Sequence, residues 1–554
     1  MLTTDLNPGY CVPMTQTLAP LDLLIVGAGI GGIDMGHHVV TNFPDWNWEI
    51  VDSNTDLGGT WTTFTYPGIR SDSDMATFSL PWKPWKGKTT LGDGADIREY
   101  LRDAAREDGF LDRIRLNTWV KSVNFDTASG LWEVTTVHAH DHGPDDRADA
   151  PAENLVETVV RARRIHLACG YYNHRDGHLP HYPGQEDFTG NGGILIHAQA
   201  WKPEEQGDVT GKKIIIIGSG ATAVTLLPAL AKAGAHVTML QRTPTWIAAL
   251  PDRDNISAVW TRIIPKKSLA HKVARANHII RDMTQWYLAR RTPFIVRGAL
   301  HRVQRLWLTP EQIKRDFTPP YNPWDQRVCK APNGDIFRAI KDGTADVVTA
   351  TIDRFVPEGV RLSDGRVLEA DTVISATGLQ LQMFGGASAS VDGVEIDLSQ
   401  QVAYRGVLLS GLPNVSFTVG YLNQSWTTRA DLTARYVVRL WRHMADRGLS
   451  LAAPVTPGPE VTRRELLEFD AGYIKRGQHL TPRQGDRSPW LYRQDYLAEW
   501  PELSRGDVTE EMVFDGDATV VASRLESVGD SESAGDAGGV RGVRGVGVTP
   551  AGSL

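Results

Sequence analysis

Two short apolar runs in this chain each end in a glycine-rich turn, and that repetition restricts its folds more than any other feature. The first run is Leu21 to Val26, followed by Gly27-Ala28-Gly29-Ile30-Gly31-Gly32. The second is Lys213 to Ile217, followed by Gly218-Ser219-Gly220-Ala221-Thr222-Ala223. In a strand–turn–helix unit the first glycine permits a tight turn and the second lets backbone approach a pyrophosphate. The third glycine, or an alanine, lets the helix pack on the strand. The helix then offers free N–H groups and the positive end of its dipole to phosphate. A helix-like stretch follows each turn, to about Phe43 and to near Gly234. A further strand-like run comes next, Trp48 to Val51 and His236 to Leu240. The pattern predicts an α/β chain with two Rossmann-like dinucleotide-binding domains.

The two units differ where each second strand ends. Asp52 stands twenty residues past Gly32, and an acid there accepts hydrogen bonds from a ribose diol. Gly27, Gly29, Gly32 and Asp52 are therefore candidate contacts of one dinucleotide. At the second site the chain reads Leu240-Gln241-Arg242-Thr243, with no acid. A guanidinium matches a phosphate dianion in charge and in fork geometry, so Arg242 favours NADP over NAD. Gly218, Gly220, Ala223, Arg242 and Thr243 are its candidate contacts. Two dinucleotides on one chain suggest electron transfer between them, with a nicotinamide giving hydride to a flavin. FAD is expected at the first turn and NADPH at the second.

At 554 residues the chain exceeds one ordinary domain, and 41% hydrophobic with 22% charged residues is a globular composition. The net charge of −8 argues against an overall nucleic-acid footprint. Only Cys11, Cys169 and Cys329 occur, far apart, which supplies no disulfide framework, zinc site or redox pair. The first twenty residues lack a signal-peptide pattern, and no apolar run approaches a membrane helix, so a cytoplasmic location is expected. The expected divisions are an N-terminal extension 1–20, a first part of the FAD-binding domain 21–175, and an NADPH-binding domain 176–365. A second part of the FAD-binding domain 366–526 and a disordered Gly- and Ser-rich tail 527–554 complete the chain. The NADPH-binding part carries a basic helical insertion at about 255–318, and a polar break interrupts strand-like sequence at Asp141 to Asn154.

Longer strings carry a family resemblance. Gly58-Gly59-Thr60-Trp61 and Tyr66-Pro67-Gly68-Ile69-Arg70-Ser71-Asp72 follow Asp52. YNPWDQR at 321–327, PNGDIFRAI at 332–340, Ala376-Thr377-Gly378 and GYLNQSW at 420–426 come later. From about Leu21 to about Phe514 the chain resembles the class B flavoprotein monooxygenases, and within them the Baeyer–Villiger monooxygenases, notably the mycobacterial ethionamide-activating branch. The resemblance implies FAD contacts at Gly59, Thr60 and Trp61. It implies that NADPH reduces FAD and that O2 adds to the reduced flavin as a C4a-peroxide. A peroxide anion attacks a ketone and yields an ester or lactone, whereas its protonated form oxidises sulfur or nitrogen. Arg327 matches the arginine that holds the peroxide charge, and Asp72 matches the acid that orients it.

The family's linker signature, F-x-G-x-x-x-H-x-x-x-W-[P/D], is altered here. Gly193, His197 and Trp201 keep its spacing, but three extra residues separate Phe188 and Gly190 from them, and Lys202 replaces Pro or Asp. The resemblance makes His197 a coupler of domain motion, with Trp201 beside it, and puts Trp426 near the substrate. The expected partners are O2 and a small-molecule ketone, or else a sulfide or amine. A flavin disulfide reductase also pairs two such units, but it needs the redox cysteine pair this chain lacks.

Overall fold

The computed structural model describes residues 19–139 and 155–515. Most of the expected extension, the polar break at Asp141–Asn154 and the tail 527–554 lie outside the described residues. The first unit is β1 (Leu23–Val26), α1 (Ile30–Asn42) and β2 (Trp48–Val51). β1 is buried at all four positions, as a central parallel strand must be. It lies between β2 and β3 (Ile165–Leu167), parallel to both. The second unit contains β4 (Ile194–His197), β5 (Lys213–Ile217), α2 (Ala221–Lys232), β6 (His236–Gln241), β7 (Ala345–Thr349) and β8 (Thr372–Ser375). Its sheet runs β7-β6-β5-β8-β4, parallel throughout. β9 (Val415–Phe417) returns to the first sheet beside β3. A third, five-stranded sheet joins Thr118–Asp126, Leu131–Ala139 and Leu155–Ala162 to two strands at 388–396.

One boundary differs from the sequence reading. Residues from 366 onward were assigned to the returning first domain, yet β8 pairs with β5 from Ile214↔Thr372 to Ile217↔Ser375. An apolar strand carries no mark of which sheet it joins, and long-range pairing decides it. The chain crosses back only after Gly378. There Leu379–Leu381 pairs antiparallel with Tyr172–Gly177, the outgoing crossing, so the two connections form one ribbon.

The helical insertion comprises α3 (Asn255–Ile263), α4 (Lys267–Arg291), α5 (Pro293–Gln304) and α6 (Pro310–Asp316). Arg275 of α4 donates to the carbonyls of Ala76, Thr77 and Ser79 at 3.0, 2.9 and 2.6 Å. One turn on, His278 lies between two carboxylates. Its Nε2 is 3.1 Å from Asp254, which also N-caps α3. Its Nδ1 is 3.1 Å from Asp74, an ion-pair contact without hydrogen-bond alignment. Further along, α7 (Trp426–Arg447) buries Arg429 completely against Glu499, at 3.0 Å, and the carbonyls of Arg405, Gly406 and Val419. Among the described residues no helix is long and apolar enough to cross a membrane.

The His278 cluster makes stability depend on pH. Burial works against the charged imidazole, but Asp254 and Asp74 carry its pKa from 6.5 to about 9. Burial likewise opposes the Asp74 carboxylate, yet His278 and the cations around it hold that pKa below 3.8. The stabilisation from His278 is therefore complete below pH 6.5 and fades as pH rises through 9. The contribution of Asp74 is present above pH 3.8 and fades on acidification. In thermal melts between pH 6 and pH 10, His278→Gln is expected to flatten the alkaline decline of Tm seen in the parent chain.

Candidate active site

Both glycine turns have the geometry a dinucleotide requires. Gly27 and Gly218 adopt φ of +108° and +132°, closed to most side chains. A Cβ on Gly32 would lie 1.8 Å from the Gly27 carbonyl oxygen, so helix and strand meet only through glycine. Ala223 is fully buried at the matching place in α2. Gly29 and Gly220 are the N-caps of α1 and α2, and neither helix has a side-chain cap. No atom lies within 4 Å of where a Gly220 Cβ would sit. Uncapped N–H groups facing open space suit a pyrophosphate. The backbone of Gly59 closes on Gly29, and Gly58 N–H donates to the Ala28 carbonyl at 3.0 Å. Thr60 and Trp61 begin the short helix that follows, with the Trp61 ring edge-on to Phe78.

Asp52 is buried at the end of β2 and already serves the turn. Its Oδ2 accepts the Ala28 N–H at 2.6 Å, and its Oδ1 accepts the backbone and side-chain N–H groups of Asn54 at 2.7 and 2.9 Å. A carboxylate has further lone pairs, so a ribose contact adds to this brace. At the second site Arg242 is exposed and pairs with no carboxylate among the described residues, leaving its fork free for an anion. The Thr243 carbonyl accepts the Ser219 hydroxyl at 3.0 Å, which fastens the loop after β6 to the glycine turn.

The segment from Thr60 to Asp72 clasps the second domain along its length. The Thr65 hydroxyl donates to the Trp201 carbonyl at 2.7 Å. Tyr66, with burial holding its phenol at about 12, engages Thr222 in the first turn of α2. Gly68 packs against Thr225 and Ala229 of α2, where a Cβ would collide. Arg70 pairs with Asp335 at 2.7 Å. At its end Asp72 meets Arg327 at 2.7 Å, and Arg327 also donates to the Leu422 carbonyl at 3.3 Å. Arg327 is surrounded by protein yet 32% accessible. Burial opposes its charge, but Asp72 and the nearby phenols of Tyr171, Tyr473 and Tyr172 keep its pKa above the ordinary arginine value. Burial raises all three phenols, so they remain protonated donors at neutral pH.

A cleft of about 350 Å³ is lined by Trp324 and Asp325, shortly before Arg327 in the chain, by Asn423, next to Leu422, and by Trp286 and Phe469 among others. Trp324 has φ of +68°, a strained conformation three residues before Arg327. Trp426 opens α7 and packs against Gly31 and Gly420 between the two main cores. His197 accepts the Gln199 N–H at Nδ1 and, at 3.1 Å, donates from Nε2 to the Gly378 carbonyl. Its ring also covers Gly177, so it fastens both strands of the crossing ribbon. Burial lowers its pKa, in keeping with this neutral tautomer. The extra residues before it form a turn at the end of helix Gln185–Gly190, with Gly192 at φ +91° and Gly193 against the Phe188 ring. Burial pushes the thiols of Cys169 and Cys329 up to about 12, so neither is a thiolate at neutral pH.

Tyr171, Tyr172, Tyr473, Trp286 and Phe469 carry no local motif, whereas Thr222 and Trp324 fall within the glycine turn and the YNPWDQR string. The glycines themselves are separable by mutation. Gly220→Ala fits an extended backbone with free space around it. It is expected to leave Tm within about 1 °C while weakening NADPH at least roughly tenfold, because the methyl fills the approach to phosphate. Gly32→Ala is expected to lower Tm sharply, since its methyl meets backbone. Melting curves and NADPH titration check both.

Comparison with known proteins agrees with this geometry. A model described as flavin-binding monooxygenase-like matches residues 91–290. The FAD-containing monooxygenase EthA of Mycobacterium tuberculosis (strain ATCC 25618 / H37Rv) is 42% identical over 493 residues, covering 89% of this chain and 96% of that protein. The probable FAD-binding monooxygenase AlmA of an Acinetobacter species is 41% identical over 485 residues, covering 87% and 94%. The open crystal structure of cyclohexanone monooxygenase matches with a TM-score of 0.62 at 21% identity, covering 80% of this chain and 90% of that one. OTEMO in complex with FAD and NADP (form 4) matches with a TM-score of 0.60 at 20% identity, covering 78% and 88%. Turns, clasp and relatives agree, and the chain belongs to the class B flavoprotein monooxygenases.

Proposed function

We propose that this enzyme inserts one oxygen atom from O2 beside a ketone carbonyl, giving an ester or lactone. Its class makes it an NADPH- and FAD-dependent monooxygenase, and the choice of a ketone is the finer reading. The open turn at Gly29, braced by Asp52, fits FAD, with Gly59, Thr60 and Trp61 beside it. The open turn at Gly220, with Arg242 and Thr243 at its rim, fits NADPH. When bound, the pair supplies a hydride and activates O2 for transfer of one atom.

The observation that carries the ketone reading is the setting of Arg327. A permanently charged fork, held by Asp72 and the Leu422 carbonyl, stays 32% accessible. Such a group stabilises negative charge on oxygen and disfavours its protonation, which suits attack on a carbonyl rather than on sulfur or nitrogen. Asp72 holds the fork in place. The protonated phenols of Tyr171 and Tyr172, linked at 2.6 Å, offer O–H donors near it. The nearby cleft sets Trp286, Trp324 and Phe469 among Arg290, Asp325, Glu468 and Asp470, so apolar rings and charged groups share its wall.

The test is turnover of FAD-loaded enzyme with NADPH over matched ketones, sulfides and amines, with product structures assigned. Esters or lactones from ketones support the reading. Sulfoxides or N-oxides with no ester at any pH overturn it. Arg327→Ala is expected to cut oxygenation by about 10²–10³ while NADPH oxidation under saturating cofactor persists. Arg242→Ser is expected to raise KM for NADPH by about 10–100-fold and to change KM for NADH little, as read from steady-state rates.

A further inference from the structure

The helical insertion faces solvent in an unusual way. A surface helix ordinarily turns its apolar stripe toward the core. Here large apolar side chains project outward. Phe294 is 70% exposed, Leu306 65%, Ile263 64% and Ile280 60%. They follow helical spacing. Leu269, Ala276 and Ile280 recur at i, i+7 and i+11 on one face of α4, and all three are exposed. Ile295, Ala299 and Leu306 recur at i, i+4 and i+11 along α5 and just past its end, again exposed. More than half of the large apolar side chains exposed among the described residues lie between Val259 and Leu306.

The same stretch is strongly basic. Residues 255–306 hold eleven Lys and Arg against one acid, Asp282, in a chain whose net charge is −8. Arg275 and Arg281 turn inward, to the carbonyls near Ala76 and to Asp74. Arg262, Lys267, Lys272, Arg291 and Arg302 are exposed and meet no carboxylate among the described residues.

We propose that α3, α4 and α5 form a docking face for an anionic phospholipid surface, with the apolar side chains entering the acyl boundary and the cations meeting the headgroups. Apolar residues flanked by Lys and Arg on short surface helices are the physical requirement for interfacial binding, and none of the three helices is apolar enough to span. Anionic leaflets attract such clusters within about a Debye length. A second copy of the chain is the poorer occupant. A two-fold contact through this face would set its unpaired cations against their own copies. The face also bears on the cleft, because Trp286 and Arg290 of α4 line it. Docking brings that wall to the lipid surface, where lipophilic substrates concentrate.

The experiment is co-sedimentation of the FAD-loaded full chain with vesicles of phosphatidylcholine alone and of phosphatidylcholine with 30% phosphatidylglycerol. Binding to the anionic vesicles at least roughly tenfold tighter than to the neutral ones, and weakening between 0.1 and 0.5 M salt, is expected. Phe294→Ser with Ile295→Ser, and separately Arg302→Gln with Arg305→Gln, are each expected to weaken it at least tenfold. These side chains lie at the surface, and an unchanged Tm and unchanged turnover of a water-soluble substrate establish that the variants are folded. No binding to anionic vesicles, equal binding to both vesicle types, or binding unaffected by either double variant overturns the proposal. So does a dimer in sedimentation velocity that Phe294→Ser with Ile295→Ser converts to monomer, which would make the face a contact between copies. Failure on any of these counts leaves the oxygenation reading untouched, since turnover in free solution tests that separately.

Discussion

The N-termini of α1 and α2 leave backbone N–H groups that no side chain satisfies. An uncapped helix start is costly unless water or a ligand meets it. Other helices, α4, α5 and α7 among them, also start without a side-chain cap, but at Gly29 and Gly220 the start follows a buried parallel strand through a glycine turn. Around each start the sequence is fixed by contact distances: Gly32 touches the Gly27 carbonyl, and Gly218 touches that of Ala376. These turns place two uncapped glycine-rich helix starts in one molecule, each suited to a phosphate, and other contacts tie the two units together.

That relation depends on the segment from Thr60 to Asp72. It leaves the first site beside Gly29 and then touches Trp201, α2, Asp335 and Arg327 in succession. A displacement of α2 relative to the first sheet therefore pulls on Asp72 and through it on Arg327. His197 makes a second connection by clipping both strands of the crossing ribbon. Arg429 stiffens the region around Leu422 and Trp426, because its buried guanidinium holds the carbonyl of Val419 together with Glu499. The two glycine turns, Arg327 and the ribbon between the sheets are thus connected by polar contacts. A burial-compensated network of this kind specifies one arrangement and is costly to break.

Sequence reading was most reliable where the governing physics is local. Glycine turns, the strands and helices beside them, Asp52 and Arg242 all lie within short windows, and their positions follow from backbone sterics and strand ends. The basic helical stretch at 255–318 was readable from composition and period. Strand Thr372–Ser375 lies past the expected boundary at 366 because four residues, only two of them apolar, carry no address. Asp52 was read as a ribose partner alone, while its brace on Ala28 required three-dimensional register. The approach of Tyr473 to Tyr171, Tyr172 and Arg327 joins distant segments, and no spacing rule reports it. The strained φ of Trp324 is likewise invisible in composition. The family resemblance supplied Arg327 and Asp72 as a pair, and their 2.7 Å contact spans 255 residues of chain.

The proposed roles of the two glycine turns and Arg327 require electrons to pass from NADPH to molecular oxygen and one oxygen atom to pass to an organic substrate. The direct measurement is turnover of FAD-loaded enzyme under ¹⁸O2 in ordinary water, following NADPH, O2 and product together. Equal consumption of NADPH and O2 per product is expected, with one labelled oxygen in each product molecule. Product oxygen drawn from water, or NADPH-driven product formation without O2, would contradict it.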